Sequence, residues 1–190
     1  MSVVSFRRGV RSAIRGLWSG GLSRSQFNSS LSTVIKGELT SAWTEGAKEC
    51  GITAEELTED ELKARDAFIK EQQGYVSGFG GDIREVDKLN KGKLNPLFER
   101  AEMWVNRWND AKNQGKLLAC KNKKITWIIG PTESHCPDCS KYNGKIYRAS
   151  NWGDIRPQHP NLACHGYRCL CSFQVTDKRV SRGKPEAMTG

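Results

Sequence analysis

Apolar residues recur along the first part of the chain at intervals of three and four, the period of an α-helix. Phe6, Val10, Ile14 and Leu17 form one stripe, with Arg7, Arg8, Arg11 and Arg15 off it. This predicts an amphipathic helix over 5–18, suited to docking on a protein partner. Gly20-Gly21 breaks it, and Ser23 is placed to cap the next helix. Phe27, Leu31, Ile35, Leu39 and Trp43 carry a second stripe towards Gly51. Thr58-x-x-Glu61 fits a capping box, in which a side-chain oxygen meets the amide three residues on. It leads into Leu62, Phe68 and Ile69. The four glycines of 74–81 predict a flexible connection or turn, followed by a short helix over 83–89. A longer helix begins at Pro96, which suits a first turn. It runs through Phe98, Ala101, Trp104, Val105 and Trp108 and stops near Gly115.

After Lys124 the pattern changes. Ile125-Thr126-Trp127-Ile128-Ile129 is β-branched and aromatic, bounded by Gly130-Pro131, and predicts a strand. Cysteine-bearing loops follow. Asn143-Gly144 signals a tight turn before Lys145-Ile146-Tyr147, and 169–175 alternates as a closing strand. The tail from Asp177 is polar and predicted to be loose. The expected fold class is α+β, a mostly helical N-terminal region followed by a small cysteine-rich, zinc-stapled α+β module. The expected bounds are 1–93 for the helical region, 94–176 for the module and 177–190 for the tail.

Charge adds a partner class. The 190 residues carry a net charge of +9, distributed as +6 over 1–37, −5 over 38–115 and +8 over 116–190. Positive ends favour an anionic partner, nucleic acid or an acidic protein surface. Lys121, Lys123, Lys124, Arg148, Arg156 and Arg168 are the candidates for phosphate contacts in the C-terminal part. No run of 18 apolar residues is present, so no membrane-spanning helix is expected. No apolar leader core follows the first arginines, so export through a cleaved leader is not expected.

Five of the seven cysteines fall between 136 and 171. An odd total argues against a fully paired disulfide framework, and such clustering points to metal. Cys136-Pro137-Asp138-Cys139 is a C-x2-C knuckle, whose thiolates can curl around one tetrahedral ion. Cys169 is the next ligand, Cys164 and Cys171 compete for the fourth place, and His159 and His165 are candidate ligands ranked below the cysteines. Cys169 and Cys171, two apart on a strand, would share a face. A closed thiolate site suits a structural zinc, which would stabilise a small loop-rich unit. Cys50 and Cys120 stand apart and are expected to be ordinary small apolar residues. The motifs of deaminases, P-loops, dinucleotide folds, serine hydrolases and zinc proteases are all absent. No enzymatic activity is expected.

The runs Trp127-Ile128-Ile129-Gly130-Pro131-Thr132-Glu133 and Cys136-Pro137-Asp138-Cys139 resemble the start of a known domain, the C-terminal domain of tailed-phage minor head proteins of the Mu F-like, head-morphogenesis group. Asn143-Gly144-Lys145-Ile146-Tyr147 is similar to that family's hairpin. Pro157-Gln158-His159-Pro160 and Leu162-Ala163-Cys164-His165-Gly166-Tyr167-Arg168-Cys169-Leu170-Cys171 resemble its closing segment, and the helix 97–108 resembles the one that precedes the domain. The likeness covers residues 94–175. Here an insertion separates Pro160 from Cys169, and Cys164 lies within it. The resemblance implies a non-catalytic virion structural protein acting in head morphogenesis. It would be assembled in the host cytoplasm and sit in the capsid interior or at the portal vertex. Its partners would be portal protein, major capsid protein or packaged double-stranded DNA. Two alternatives are a free-standing zinc-ribbon nucleic-acid-binding protein and, further off, a toxin-like enzyme delivered with phage DNA.

Overall fold

The computed structural model describes residues 2–189, an α+β chain with its helices first and its strands last. The helices are α1 (Val3–Trp18), α2 (Arg24–Lys48), α3 (Glu59–Gly74), α4 (Val76–Glu85) and α5 (Leu94–Ala119). Then come β1 (Lys124–Ile128), α6 (Pro137–Tyr142), β2 (Ile146–Arg148), α7 (Ala149–Trp152) and β3 (Ser172–Val175). Among the described residues, no helix is long and apolar enough to cross a membrane. The chain divides into two compact units, 1–41 with 66–105 and 42–65 with 106–190. This differs from the division expected at residue 93: 42–65 belong with the strands, and 94–105 with the helices.

In the first unit, Ser2 and Ser5 cap α1 reciprocally, each hydroxyl accepting the other's amide at 2.8 and 3.3 Å. Phe6, Val10, Ile14 and Leu17 are all buried there. The stripe expected to dock on a partner is therefore used inside its own unit. Arg7 and Arg11 both reach Glu102, at 3.0 and 3.1 Å, and Arg11 and Arg15 also lie over the Phe98 ring. The glycine-rich stretch expected to be a turn is helical. Each helical glycine costs about 1 kcal/mol relative to alanine. Burial of Val76, Phe79 and Ile83 at helical spacing outweighs that cost, with Phe79 edge-on to Trp104 at 5.2 Å. The short helix expected over 83–89 is only the last turn of α4. Trp18 Nε1–H donates to Val86 O at 3.0 Å where that helix ends.

In the second unit, the ends of α2 and α5 approach so closely that only glycine fits at the crossing. A Cβ on Gly46 would stand 2.0 Å from Lys112 O, and one on Gly115 2.3 Å from Trp43 O. Gly115 thus does not end its helix, as the sequence suggested; it admits the neighbouring backbone. Beyond the crossing, Cys50 and Cys120 form a disulfide. This corrects their reading as plain apolar residues: both are buried, and the close approach of the two helix ends brings the sulfurs together.

The sheet is antiparallel with order β2-β1-β3, pairing Ile125 with Tyr147 and Trp127 with Phe173. Trp127 is its centre, with ring centroids at 4.9 Å from Tyr142, 5.8 Å from Trp152 and 5.5 Å from Phe173. The outer edge of β3 is closed by side chains of α5. Asn113 Oδ1 accepts the Phe173 amide at 3.0 Å, and the Lys116 ammonium donates to the Phe173 carbonyl. Edge strands left open are templates for foreign strands. The tail is tied down too. Lys124 Nζ donates to Asp177 O, Ser181 exchanges hydrogen bonds with Ile146 on the outer edge of β2, and Tyr142 Oη–H donates to Glu186 O.

Gly46→Ala is expected to destabilise the second unit by about 3 kcal/mol, because the methyl meets backbone rather than a side chain that could move. Chemical denaturation of the variant beside wild type measures it. Cys120→Ser opens a loop closed across 70 positions. In the chain-entropy account it should lower stability by about 4 kcal/mol without altering the secondary structure seen by circular dichroism.

Candidate metal centre

Cys136 sits at the N-cap of α6, and Pro137 fixes the first helical position. The cap makes the knuckle: Cys136 Sγ accepts the Cys139 amide at 3.3 Å, and one turn brings Cys139 inward to 2% exposure. The opposite wall is the segment 157–171, which folds by a run of left-handed residues. Gln158, His165 and Arg168 have φ of 64°, 49° and 49°. Gly166, at φ 70°, is required, since a Cβ there would lie 2.3 Å from Gln158 O. This path delivers Cys164, Cys169 and Cys171 to the knuckle. Cys169 and Cys171 precede β3 instead of lying on it, yet both face Cys139.

The five sulfurs cluster closely enough to hold a metal ion. The sulfurs of Cys136, Cys139 and Cys164 are mutually within 4.8 Å, and so are those of Cys139, Cys169 and Cys171. Cys139 Sγ and Cys169 Sγ are 3.8 Å apart. Metal–sulfur bonds of about 2.3 Å at tetrahedral angles place two sulfurs about 3.8 Å apart, so this pair already spans one edge of a thiolate tetrahedron. The thiols contend for charge. Hydrogen bonds from Cys139, then from Cys169, draw the Cys171 thiol down to about 3, with the Gly130 amide adding to them. Cys139 is pushed up by the same contacts with Cys169 and Cys171, and burial pushes Cys164 up to about 12. A cation entering the cage must displace the protons these thiols retain, so affinity rises with pH.

Two buried polar contacts hold the cage in shape. Gln158 Nε2–H donates to the carbonyls of Cys169 and Cys171 at 2.8 and 2.6 Å, and its Oε1 accepts from Asn113 Nδ2 at 2.7 Å. Asp138, inside the knuckle, accepts from the Ala163 amide at 2.9 Å and from the amide and hydroxyl of Thr189. Its side chain is fully buried and also faces Lys141 at 3.2 Å. Burial alone would raise its carboxyl; the Ala163 and Thr189 amides and Lys141 outweigh that and hold it below the ordinary range. The stability it contributes is therefore present above the usual aspartate range and lost as pH falls below that range, through the lowered value of the folded state. Sequence reasoning singled out none of Asp138, Gln158 and Asn113. The one signal on offer was an acid between the two knuckle cysteines.

The other expected site residues divide. His159 lies outside both thiol groups; its Nδ1 accepts the Asn161 amide at 3.0 Å, and burial, with Arg156 beside it, pushes its pKa down. His165 Nδ1–H donates to Pro160 O at 3.0 Å and is likewise outside them. Arg156 is not a free cation: its Nε donates to buried Asp110 at 2.8 Å, Arg107 takes the other oxygen at 2.9 Å, and the Arg156 side chain is 13% exposed. Lys121, Lys123, Lys124 and Arg148 gather at one end of the sheet. Lys124 pairs with Arg148 in register, and the Ser150 amide donates to Lys121 O. Lys123 donates to Cys50 O and Arg148 to Asn122 O, yet both remain exposed. Arg168 is exposed on the cysteine loop, over the Tyr167 ring.

Gln158→Leu keeps the volume but removes both donors to the Cys169 and Cys171 carbonyls and strands Asn113. Loss of such outer contacts typically weakens a metal site by about 10- to 100-fold. Competition with a chromophoric chelator should show that drop.

No protein-family model, no curated protein and no solved structure matches the chain.

Proposed function

We propose that this chain is a non-catalytic virion component, a minor head protein of a tailed phage, whose C-terminal unit is a zinc-stapled module. One observation carries the reading. The segments between 127 and 171 that resemble the minor head family serve one structural object, the thiol cage and the aromatic core under it. Trp127 centres that core, Cys136 and Cys139 form the knuckle, and the Gly144 amide closes the hairpin onto Trp127 O at 2.9 Å. Gln158 and the 164–171 segment form the opposite wall. A donor set made of thiols selects soft or borderline ions, and zinc is the usual structural choice among them. The ion would fix the loops, and the basic end of the sheet, Lys121, Lys123, Lys124 and Arg148, would meet packaged double-stranded DNA or an acidic face of portal or capsid protein. Phosphate contacts of this kind are sequence-blind and weaken with salt. The same basic end favours a second reading, a free-standing nucleic-acid-binding module.

Elemental analysis of full-length protein purified without chelator should find zinc, and Cys139→Ser should lose both the metal and the cooperative unfolding of the second unit. An antibody to the chain should label purified particles of the phage that encodes it. Its confinement to the particle-free fraction of the lysate would overturn the virion reading in favour of the second one.

A further inference from the structure

The cage holds one sulfur more than a tetrahedral ion takes, and the way its sulfurs are grouped gives the extra one a place. Two three-sulfur faces are present, Cys136–Cys139–Cys164 and Cys139–Cys169–Cys171, and Cys139 is the atom they share. A single tetrahedral ion needs all four of its sulfurs about 3.8 Å from one another. Here the close spacing holds within each face, not across the whole set. A thiolate has lone pairs enough to bind two cations at once, and Cys139 is the residue in position to do so.

We infer that the cage is a two-ion site for divalent thiophilic cations, with the Cys139 thiolate bridging an outer ion on Cys136 and Cys164 to an inner ion on Cys169 and Cys171. The inference rests on the metal-stapled reading above and deepens it. Charge supports it. Five thiolates around one divalent ion leave a net of −3, and around two leave −1. Cys139, Cys169 and Cys171 are buried, where uncompensated charge is costly. Each thiol that is still protonated gives its proton to solvent as its sulfur–metal bond forms, and no electron transfer is involved. The fourth position of each ion can be taken by water. Cys136 and Cys164 are half-buried, so solvent reaches the outer face. On the inner side, Cys171 lines a cavity of about 290 Å³ beside Lys116, Leu170 and Phe173, open to solvent.

Native mass spectrometry of the full chain titrated with Zn²⁺ alone tests the inference. Wild type should saturate at about two ions per chain and Cys164→Ser at about one, and Cys139→Ser should lose affinity for both. A wild-type endpoint of one ion overturns the two-ion site and leaves the metal-stapled reading intact; an endpoint of zero overturns both. Titration of wild type with Co²⁺ tests the bridge without any variant. The paramagnetic signal should grow to about one equivalent and then fall as bridged, coupled pairs form. A signal that grows in proportion through the second equivalent overturns the bridge.

Discussion

The side-chain amides of Asn113 and Gln158 meet at 2.7 Å with both residues buried, and the C-terminal unit is registered through that contact. From Asn113 the link runs to the Phe173 amide and so to the sheet; from Gln158 it runs to the carbonyls of Cys169 and Cys171. A long helix, the edge of β3 and the thiol segment are thus fixed to each other by groups that cannot move apart without leaving polar atoms unpaired in the interior. Such a loss costs about 1–3 kcal/mol for each group stranded. Gln158 makes these contacts from a left-handed backbone conformation, φ 64°.

The same unit shows why a cluster of thiols belongs in it. Its apolar core is dense but small, an aromatic group around Trp127 with Leu162 and Ile125 beside it. The segment that supplies three of the cysteines runs through turns, with no regular element of its own between α7 and β3. Loops of that length lose much conformational entropy on ordering. Here the loss is offset from three sides: the Asp138 carboxylate on the Ala163 amide, Gln158 on the cysteine carbonyls, and the thiol cage itself. The tail adds its own closure by returning Thr189 to the same carboxylate. The disulfide at the far end of α5 constrains the unfolded chain where no hydrogen bond could.

Positive charge in this unit has two fates. Arg107 and Arg156 converge on the buried Asp110, and Lys112 and Lys116 on Glu49. These cations are structural, and burial pushes the Lys116 ammonium below the ordinary lysine range. Lys121, Lys123, Lys124 and Arg148 instead gather where β1 begins and β2 ends, and all but the partly buried Lys124 are exposed. Net charge counted along the chain mixes both sorts. The second sort is the better placed to attract a polyanion, because the charge of the first is already neutralised by carboxylates at close range.

Helical stripes, the β-branched run at 125–129 and the clustering of five cysteines are local patterns, legible without the fold: they give the α+β class, the buried Phe27, Leu31, Ile35, Leu39 and Trp43, and the thiol residues. The sequence misled where a residue's role depends on something distant in the chain. Gly115 reads as a helix end and is a helix crossing, because the partner backbone at Trp43 is invisible to any local window. Cys50 and Cys120 read as apolar and are bonded. Gln158, Asn113 and Asp138 carry no periodic signal, since a buried hydrogen bond needs partners that only folding supplies. Which sulfurs share a face, and that Cys139 belongs to both, was decided by tertiary structure alone. Spacing along a chain limits which thiols can meet, but their distances are set by the loop and helix that carry them.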